Sequence, residues 1–457
     1  MHFRGRDAIK DLQQRERPEM DRLHLIEEGK EKRKSERASE EEGKKCLLGN
    51  TTDCQSNSRT GESCAYRNWK TLSQRPLCAS IALCAHQSVN SSRFVDSLLR
   101  DNTKASIVDS LKKLPSKYVY YYVSPEHKNH YVLSYIFGFD REDDVYHFAY
   151  SYPYSYSRLQ TYLEEVEKMK LPFLSVDIIG YSLQHRSLSA LTIGKGEAGA
   201  KQRKTVVITS RVHPGETPAS YIVQGLVDYL TSDDSMAQVL REHVTFKVVP
   251  MLNPDGVFLG NYRTSMMGFD LNRSWTDANP WAHPTLFATK NLLRQLNGDN
   301  TVDLDFFIDI HAHSSLKGSF VYGNQYDDVY RAERHTLFPK LLGQVAEDFN
   351  PGASVYNRDP NKNGTARRFF ANTLRDKANC YTLEVSFFGY HPRNGSDTSL
   401  LVPYTDEGFP QQRADKRLGR NLARAFFQYY VVTNHIPAAE SAAQSSVNRG
   451  RSRDRSR

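Results

Sequence analysis

No apolar run in the 457-residue sequence approaches the length of a membrane-spanning helix, and the N-terminus is charged rather than apolar. A helix that crosses a bilayer needs about 20 largely apolar residues. A secretory signal needs a shorter apolar core near the N-terminus. The sequence shows neither pattern, so we expect no membrane partner and a cytoplasmic location.

Cysteine is scarce, with six residues in 457, and none of them forms a C-x-x-C pair. Five lie between Cys46 and Cys84 at irregular spacing, and Cys380 stands alone. This spacing argues against a zinc ribbon and against a disulfide framework. The helical zinc motif H-E-x-x-H is also absent. Reduced thiols in the cytosol are the simplest interpretation.

Hydrophobic residues are also few, at 39% of the chain, which indicates that disordered segments dilute a folded part. Residues 1–110 are charged at first and irregular afterwards, and we expect them to be largely disordered or divergent. Residues 437–457 form a Ser/Arg-rich tail that cannot pack a core. The net charge of +8 suits an acidic partner, although a solvated surface with two basic tails explains it equally well. We favour a solvated tail over an RNA-binding one, so nucleic acid is not an expected partner.

Strand-like and helix-like segments alternate from Val176 onward. The predicted strands are Ser175–Leu183, Leu188–Ile193, Lys204–Ser210, Val244–Pro250, Leu304–Ile310, Ser319–Tyr322 and Cys380–Ser386. The predicted helices are Ala219–Leu230, Ser235–Glu242, Pro284–Leu296, Leu337–Phe349, Thr365–Asp376 and Lys416–Val431. This alternation predicts an α/β fold with a largely parallel sheet and helices on both faces. Before it, Lys117–Val123, Tyr131–Phe139 and the tyrosine-rich run Asp143–Tyr156 indicate further strands, and we favour sheet packing over base stacking for those tyrosines.

Polar residues follow four of the predicted strands. These residues are His213 and Glu216, then Asn253 with the loop residues Arg263, Asn272 and Arg273, then His311 and His313, and finally Glu384. The carboxyl ends of parallel strands meet at one edge of a sheet, where ligands collect. We therefore expect these side chains to lie close together.

Two histidines and one glutamate match a catalytic zinc site, which has three protein ligands and an open fourth position. His213-x-x-Glu216 is a weak pattern alone, but its position after a buried strand strengthens it. Pro214 disfavours helix at His213, which predicts a tight loop leading into the helix. His311 and His313 compete for the third ligand, and the position directly after the strand favours His311. Glu384 is the natural carboxylate base, with a strand-end ion pair as the alternative.

The loop after Asn253 offers two arginines and an asparagine near the same edge. Arginine suits bidentate recognition of a carboxylate. One arginine is suited to stabilising an oxyanion, and an Asn–Arg pair is suited to clamping a free α-carboxylate. Such a clamp predicts an exopeptidase that acts on a C-terminus.

Five segments together resemble the cytosolic carboxypeptidases, the tubulin-deglutamylating branch of the zinc carboxypeptidase (funnelin) family. They are His213–Pro218, Met251–Val257, Gly268–Arg273, Asp309–Ser314 and Tyr381–Ser386. The run Phe148–Ser157 resembles the end of the N-terminal β-sandwich domain of that branch. The resemblance covers roughly residues 115–435 and implies a zinc-carboxypeptidase fold preceded by this β-sandwich.

The resemblance also implies a role for each matching residue. His213, Glu216 and His311 would bind one Zn²⁺ per chain, and Glu384 would be the general base and acid. Arg263 would polarise the scissile carbonyl, and Asn272 with Arg273 would hold the terminal carboxylate. Arg367, with Arg368 as the alternative, would select an acidic side chain. The implied substrates are glutamylated tubulin or other acidic protein tails, and the implied setting is the cytoplasm, with association to the cytoskeleton, centrioles or cilia. We expect a monomer.

The front of the chain departs from this family pattern, because residues 1–110 do not show the strands with which the sandwich normally starts. We therefore expect an incomplete sandwich over 111–160, a catalytic domain over 161–436 and a disordered tail over 437–457. Two alternative functions stay open. One is a carboxypeptidase of non-acidic specificity, and the other is an inactive protein that binds acidic tails or microtubules.

Overall fold

The first five strands form two small antiparallel sheets. In the computed structural model, which describes residues 84–88, 112–138, 145–194, 202–374, 378–392, 402–403 and 411–437, all of these residues belong to one compact unit spanning 68–457. The strands are β1 (Cys84–Ser88), β2 (Lys112–Lys113), β3 (Val119–Ser124), β4 (His130–Tyr135) and β5 (Val145–Ala149). One sheet has the order β2-β1-β5, and β3 and β4 form a hairpin. Strand β1 lies within residues 1–110, which we expected to be largely disordered or divergent. The rest of that region, and the predicted tail from residue 438 onward, lie outside the described residues.

The remaining elements alternate as predicted. The helices are α1 (Tyr156–Lys168), α2 (Thr217–Leu230), α3 (Ser235–His243), α4 (Pro254–Leu259), α5 (Pro284–Gly298), α6 (Val329–Val345), α7 (Ala366–Thr373) and α8 (Gln411–Val432). The strands are β6 (Leu174–Tyr181), β7 (Ser187–Ile193), β8 (Arg203–Ser210), β9 (Val244–Val249), β10 (Val302–His313), β11 (Ser319–Asn324), β12 (Val355–Asn357), β13 (Asn379–Ser386), β14 (Gly389–Tyr390) and β15 (Val402–Pro403). Among the described helices, none combines the length and the apolar composition that crossing a membrane requires.

Eight of these strands form one mixed sheet in the order β12-β11-β13-β10-β8-β9-β7-β6. The four strands β9, β8, β10 and β13 at its centre run parallel to one another. Strand β7 runs antiparallel to both β6 and β9, and β11 runs antiparallel to β13 but parallel to the edge strand β12. The α/β prediction is confirmed, and all four polar strand ends reach the same edge of the sheet.

Both faces of the sheet are covered, which explains why its central strands are apolar without alternation. In β8, Val206 and Ile208 pack into one hydrophobic cluster with residues of α2 and α8, such as Phe426. Val207 points to the opposite face and packs with Leu286 of α5 and with residues of α7. All three valine and isoleucine side chains are fully buried. The tyrosines of the 150–156 segment also pack into this core, since Tyr154 is 2% exposed, and this favours packing over base stacking.

Several elements differ from the sequence prediction, among them two helices and a strand near the site. Asn253–Gly256, which we expected to be a loop, begins α4, because the side chain of Asn253 accepts a hydrogen bond from the Gly256 backbone at 3.1 Å. Pro254 then occupies the first helical turn, where its missing N–H costs nothing. Helix α6 begins at Val329 and not at Leu337, because Asp328 caps it. Strand β12 was not predicted, and at three residues its own pattern is too short to reveal it.

Candidate active site

The loop between β8 and α2 carries the first two predicted metal ligands. It begins at Arg211, whose φ of 58° turns the chain out of the strand, and ends at Glu216, the N-cap of α2. The buried guanidinium of Arg211 donates to the carbonyl oxygen of Pro214 and to Ser220 Oγ, both at 2.8 Å. A third bond of 3.0 Å reaches the carbonyl oxygen of Tyr154, in the segment before α1. These bonds hold the loop in the tight, non-helical form that the proline predicted.

The third predicted ligand enters from β10. His311 Nδ1 lies 2.9 Å from Glu216 Oε2, and His213 Nδ1 lies 2.7 Å from Glu216 Oε1. One ligand atom from each of the three side chains can be chosen so that all lie within 4.8 Å of one another. All three residues are buried. Two imidazole nitrogens and a carboxylate that converge in this way match the donor set and number of a catalytic zinc site.

His313, the alternative third ligand, lies outside this cluster. It is half-buried, and its Nδ1 accepts hydrogen bonds from the backbone N–H groups of Leu316 at 3.0 Å and Ser315 at 3.3 Å. That nitrogen is therefore committed to the turn after β10. The structure places His311, and not His313, with the other two ligands.

Each histidine of the cluster is backed by a carboxylate that the sequence reasoning missed. His213 Nε2 lies 3.1 Å from Asp270 Oδ1, and His311 Nε2 lies 2.8 Å from Asp309 Oδ2. A carboxylate at Nε2 holds the proton there and leaves Nδ1 free to bind a metal. Asp309 also accepts a 2.7 Å bond from Thr209 on the neighbouring strand. Its position two residues before His311, on the same side of the strand, was the available signal.

The electrostatics of the cluster keep Glu216 ionised. Burial opposes the charge of Glu216, but the charge of His311 and the hydrogen bonds from both histidines outweigh it and hold the pKa of this carboxyl well below its usual range. Burial likewise opposes the ionisation of Asp270, yet the hydrogen bond with His213 and the charge of Arg263 depress its pKa. An ionised carboxylate is the form that a metal ligand must take.

Glu384, the predicted base, ends β13 directly beside His311, its partner in the parallel register. Burial raises the pKa of Glu384 to about 7, because the loss of hydration outweighs the attraction of His311. A carboxyl group with a pKa near neutrality can both accept and return a proton. Its position next to the cluster, and not in a strand-end ion pair, is the arrangement expected of a general base.

The predicted substrate-binding residues lie on the loop after α4. Arg263 and Arg273 are exposed at the rim, and Arg263 Nη2 pairs with Asp270 Oδ2 at 2.7 Å. Asn272 is buried, and its Oδ1 accepts a 3.0 Å hydrogen bond from the backbone of Ala366, the first residue of α7. This bond uses the amide oxygen, and the Asn272 NH₂ group lies 3.2 Å from His311 Nε2, at the edge of the metal-binding cluster.

The two consecutive arginines of α7 point in different directions. Arg367 is 3% exposed and lines the cavity above the cluster, whereas Arg368 is not among the residues that line it. Arg368 Nη2 instead lies 3.2 Å from Oδ1 of the exposed Asn363. The structure therefore places Arg367 at the position expected for recognition of a side chain.

A single cavity of about 320 Å³ contains all of the predicted site residues. They are His213, Glu216, Arg263, Asn272, Arg273, His311, Arg367 and Glu384. The lining residues that sequence reasoning did not single out include Tyr262, Tyr322, Asn357, Lys362, Thr365 and Thr382. No short motif marks these positions, because they come from separate loops and strands. The cavity combines a metal-binding cluster, a carboxylate base and several cations.

Comparison with known proteins supports this arrangement. A sequence profile described as zinc carboxypeptidase matches residues 159–392, which is more than half of the chain. The chain belongs to the zinc carboxypeptidase family. Cytosolic carboxypeptidase 6 of Mus musculus is 48% identical over 340 residues, and the protein of that name from Caenorhabditis elegans is 38% identical over 333 residues. The relationship that the motifs indicated is therefore confirmed.

These alignments cover 73% and 72% of this zinc carboxypeptidase, and 61% and 71% of the mouse and nematode relatives. The chain thus spans about three-fifths of the length of the mouse protein. Among solved structures, a metallo-carboxypeptidase from Burkholderia cenocepacia superposes with a TM-score of 0.59 at 24% identity, over 77% of this chain and 81% of that one. This likeness shows that the fold is that of zinc carboxypeptidases.

Proposed function

We propose that this zinc carboxypeptidase removes glutamate residues from acidic C-terminal tails or polyglutamate side chains, with glutamylated tubulin as the expected substrate. The proposal is supported by the family, by the relatives named cytosolic carboxypeptidase and by the chemistry of the cavity. Four basic side chains line the cavity (Arg263, Arg273, Lys362 and Arg367), against the two carboxylates Glu216 and Glu384. Such a cavity favours an anionic substrate.

The residues present fit the zinc ion that the family implies. His213, Glu216 and His311 would hold it, because their ligand atoms converge. Asp270 and Asp309 lie at the Nε2 atoms and can keep a proton there, so Nδ1 is the nitrogen of each ring that a metal ion would take in exchange for its proton. When bound, zinc supplies a Lewis acid that polarises a carbonyl group and lowers the pKa of water. Without it the cluster has no electrophile, so activity should depend on the metal.

Glu384 moves the proton in the proposed reaction. Its carboxylate accepts a proton from the attacking water and returns it to the amine of the departing residue. Its pKa of about 7, raised by burial, suits both steps. The C–N bond of the last peptide unit breaks, and the C–O bond of the new terminus forms. Arg263 at the rim would stabilise the negative charge that develops on the carbonyl oxygen.

Asn272 and Arg273 would restrict cleavage to a chain end. Both residues line the cavity, and the guanidinium of Arg273 and the NH₂ group of Asn272, which lies 3.2 Å from His311 Nε2, would donate to the two oxygens of a free α-carboxylate. A mid-chain peptide bond offers no such carboxylate and leaves the arginine unpaired. The arrangement therefore supports an exopeptidase.

The observation that carries the acidic specificity is the buried Arg367. Among the described residues, its hydrogen-bond partners are uncharged oxygens, so its positive charge is available to a ligand. Burial lowers its pKa to about 10, which still leaves it protonated at neutral pH. An apolar side chain beside it would bury an unpaired charge, whereas a glutamate would neutralise it.

The test is release of free glutamate from glutamylated tubulin by the zinc-loaded protein. Peptides that are identical except for a terminal Glu, Leu or Lys provide the comparison, and we expect a clear preference for Glu. A preference for Leu or Lys would overturn the acidic specificity and leave a carboxypeptidase of another specificity. Binding of acidic tails without cleavage, by protein that contains zinc, would identify an inactive binder.

A further inference from the structure

The guanidinium of Arg367 lies in a cradle of three oxygen atoms. Its Nη1 donates to the carbonyl oxygen of Gly323 and, at 2.9 Å, to Asn324 Oδ1. Its Nη2 donates to Asn357 Oδ1 at 3.3 Å. None of these oxygens is charged. Burial and the nearby Arg368 lower its pKa, and no carboxylate is among the largest influences on it.

The two asparagines face each other across neighbouring strands. Asn324 ends β11 and Asn357 ends β12, and they are partners in the parallel register. The Nδ2 of Asn324 donates to the carbonyl oxygen of Cys380 at 2.9 Å, so its Oδ1 is the atom that faces Arg367. The sheet thus fixes the backbone of both asparagines, and the bond to Cys380 also fixes the side chain of Asn324.

His335 of α6 fixes the end of β11, where two of the three oxygen atoms that contact Arg367 lie. The backbone N–H of Asn324 donates to His335 Nε2 at 3.0 Å, and the imidazole stacks on Tyr381 at a centroid distance of 4.3 Å. Burial lowers the pKa of His335 to about 3, so its Nε2 stays unprotonated and able to accept. Gly323 leaves no room for a side chain, since a Cβ there would collide with the ring of Tyr356. The backbone at Gly323 therefore lies between the ring of Tyr356 on one side and the bond from Asn324 to His335 on the other.

We propose that Asn324 and Asn357 are specificity-determining positioning residues, because their uncharged amide oxygens orient Arg367 while leaving its positive charge for an acidic substrate side chain. The inference rests on the proposed glutamate specificity and extends it. Aspartate has nearly the same shape as asparagine and would accept the same hydrogen bonds. It would also neutralise the guanidinium and repel a substrate carboxylate. The charge of these two positions, and not their shape, would then decide which residue is removed.

The test uses Asn357→Asp in the zinc-loaded protein, because Asn357 is half-buried and no described residue accepts a hydrogen bond from its amide nitrogen. The measured quantity is the ratio of kcat/KM for two peptides that end in Glu and in Gln. We expect the Glu-to-Gln preference to fall on the order of 100-fold, since like charges placed together cost several kcal/mol. Asn357→Ala removes the hydrogen bond without adding charge and should lower the preference much less.

Asn363→Asp is the matched control. It adds the same charge beside Arg368, the next residue of the same helix, and should leave the Glu-to-Gln preference unchanged. In an Arg367→Ala background, Asn357→Asp should alter the preference much less, because the neutralisation of Arg367 is lost and only the direct repulsion of the substrate carboxylate remains. Asn324→Asp tests the second amide oxygen that contacts Arg367 by the same Glu-to-Gln ratio. Zinc content and thermal melting of this variant check that it folds.

The proposal is overturned if Asn357→Asp and Asn324→Asp both retain the wild-type preference, or if Asn357→Ala lowers it as much as Asn357→Asp does. A failure of the underlying function is distinguishable, because it would appear in the wild-type protein as an absence of any preference for Glu over Gln.

Discussion

The two ends of the cavity hold their essential side chains with opposite chemistry. At the metal end, Asp270 lies 3.1 Å from Nε2 of His213. Asp309 lies 2.8 Å from Nε2 of His311. At the specificity end, Arg367 is held by carbonyl and amide oxygens that carry no charge.

The difference follows from the charge of what each end has to bind. A carboxylate behind a histidine makes the ring a better ligand for a cation and adds negative charge nearby. A carboxylate behind Arg367 would cancel the charge that an anionic substrate needs. At the metal end, the supporting residues therefore carry a charge opposite to that of the metal ion. At the specificity end, the supporting residues carry no charge.

The largest effect is expected from removing a metal ligand. In His311→Ala, zinc content should fall from one ion per chain to almost none, and glutamate release should fall to background, because two ligands rarely retain a catalytic zinc ion. Metal analysis of the purified protein measures this directly. The control is His313→Ala on the same strand, which should retain zinc. Loss of zinc only in the His313 variant would reverse the assignment.

Replacing the base should abolish most of the turnover without removing the metal. For Glu384→Gln we expect kcat to fall by about 10²–10⁴-fold, the usual contribution of a positioned general base. Zinc content and affinity for a non-hydrolysable acidic peptide should stay close to those of the wild type. Full glutamate release by this variant would show that another group moves the proton.

Asp309→Asn tests the support of the metal end. It keeps the size of the side chain but removes the charge behind His311, so zinc affinity should fall about 10–100-fold. Competition with a chromophoric chelator measures it. Asp303→Asn on the same strand is the control, because Asp303 pairs with Lys204 at 2.7 Å far from the ligands. Equal zinc affinities for the two variants would contradict a role for Asp309 in metal binding.

The smallest effect is expected on the pH dependence of stability, through His335, which supports the strand end that contacts Arg367. Burial lowers the pKa of His335 from 6.5 to about 3. Above pH 6.5 the imidazole is neutral in both states. As the pH falls from 6.5 towards 3, the unfolded chain binds a proton that the folded chain does not, so the free energy of unfolding falls by at most about 1.4 kcal/mol per pH unit.

His335→Gln keeps a hydrogen-bond acceptor but cannot titrate, so its stability should depend less on pH between about 6.5 and 4.5. Urea unfolding at several pH values measures the slope. The exposed His130, changed to Gln, serves as the control and should leave the slope as in the wild type. Identical slopes for all three proteins would show that His335 is not kept neutral by the fold.

Local pattern was sufficient for most of the catalytic fold. Strands β8, β10 and β13 are apolar runs buried on both faces, and their bounds match the prediction within a few residues. The local sequence pattern did not predict elements whose formation depends on a partner strand or on a capping side chain. Strand β1 at Cys84–Ser88 exists through its pairing with β5 over a distance of some 60 residues, which no local window contains. In α4, the Asn-Pro-Asp-Gly sequence suits a turn and a capped helix equally.

For the site, local sequence was enough to name the reactive groups: two histidines and two glutamates after parallel strands, and the arginines that follow them. These could be identified because strand ends and short motifs are local. The choice between His311 and His313, and between Arg367 and Arg368, needed the folded chain. Folding also brought Asp309 behind His311. The reason is geometric, because side-chain direction depends on strand register and on helix phase. Consecutive residues of a helix differ in direction by about 100°, which turns Arg367 into the cavity and Arg368 away from it.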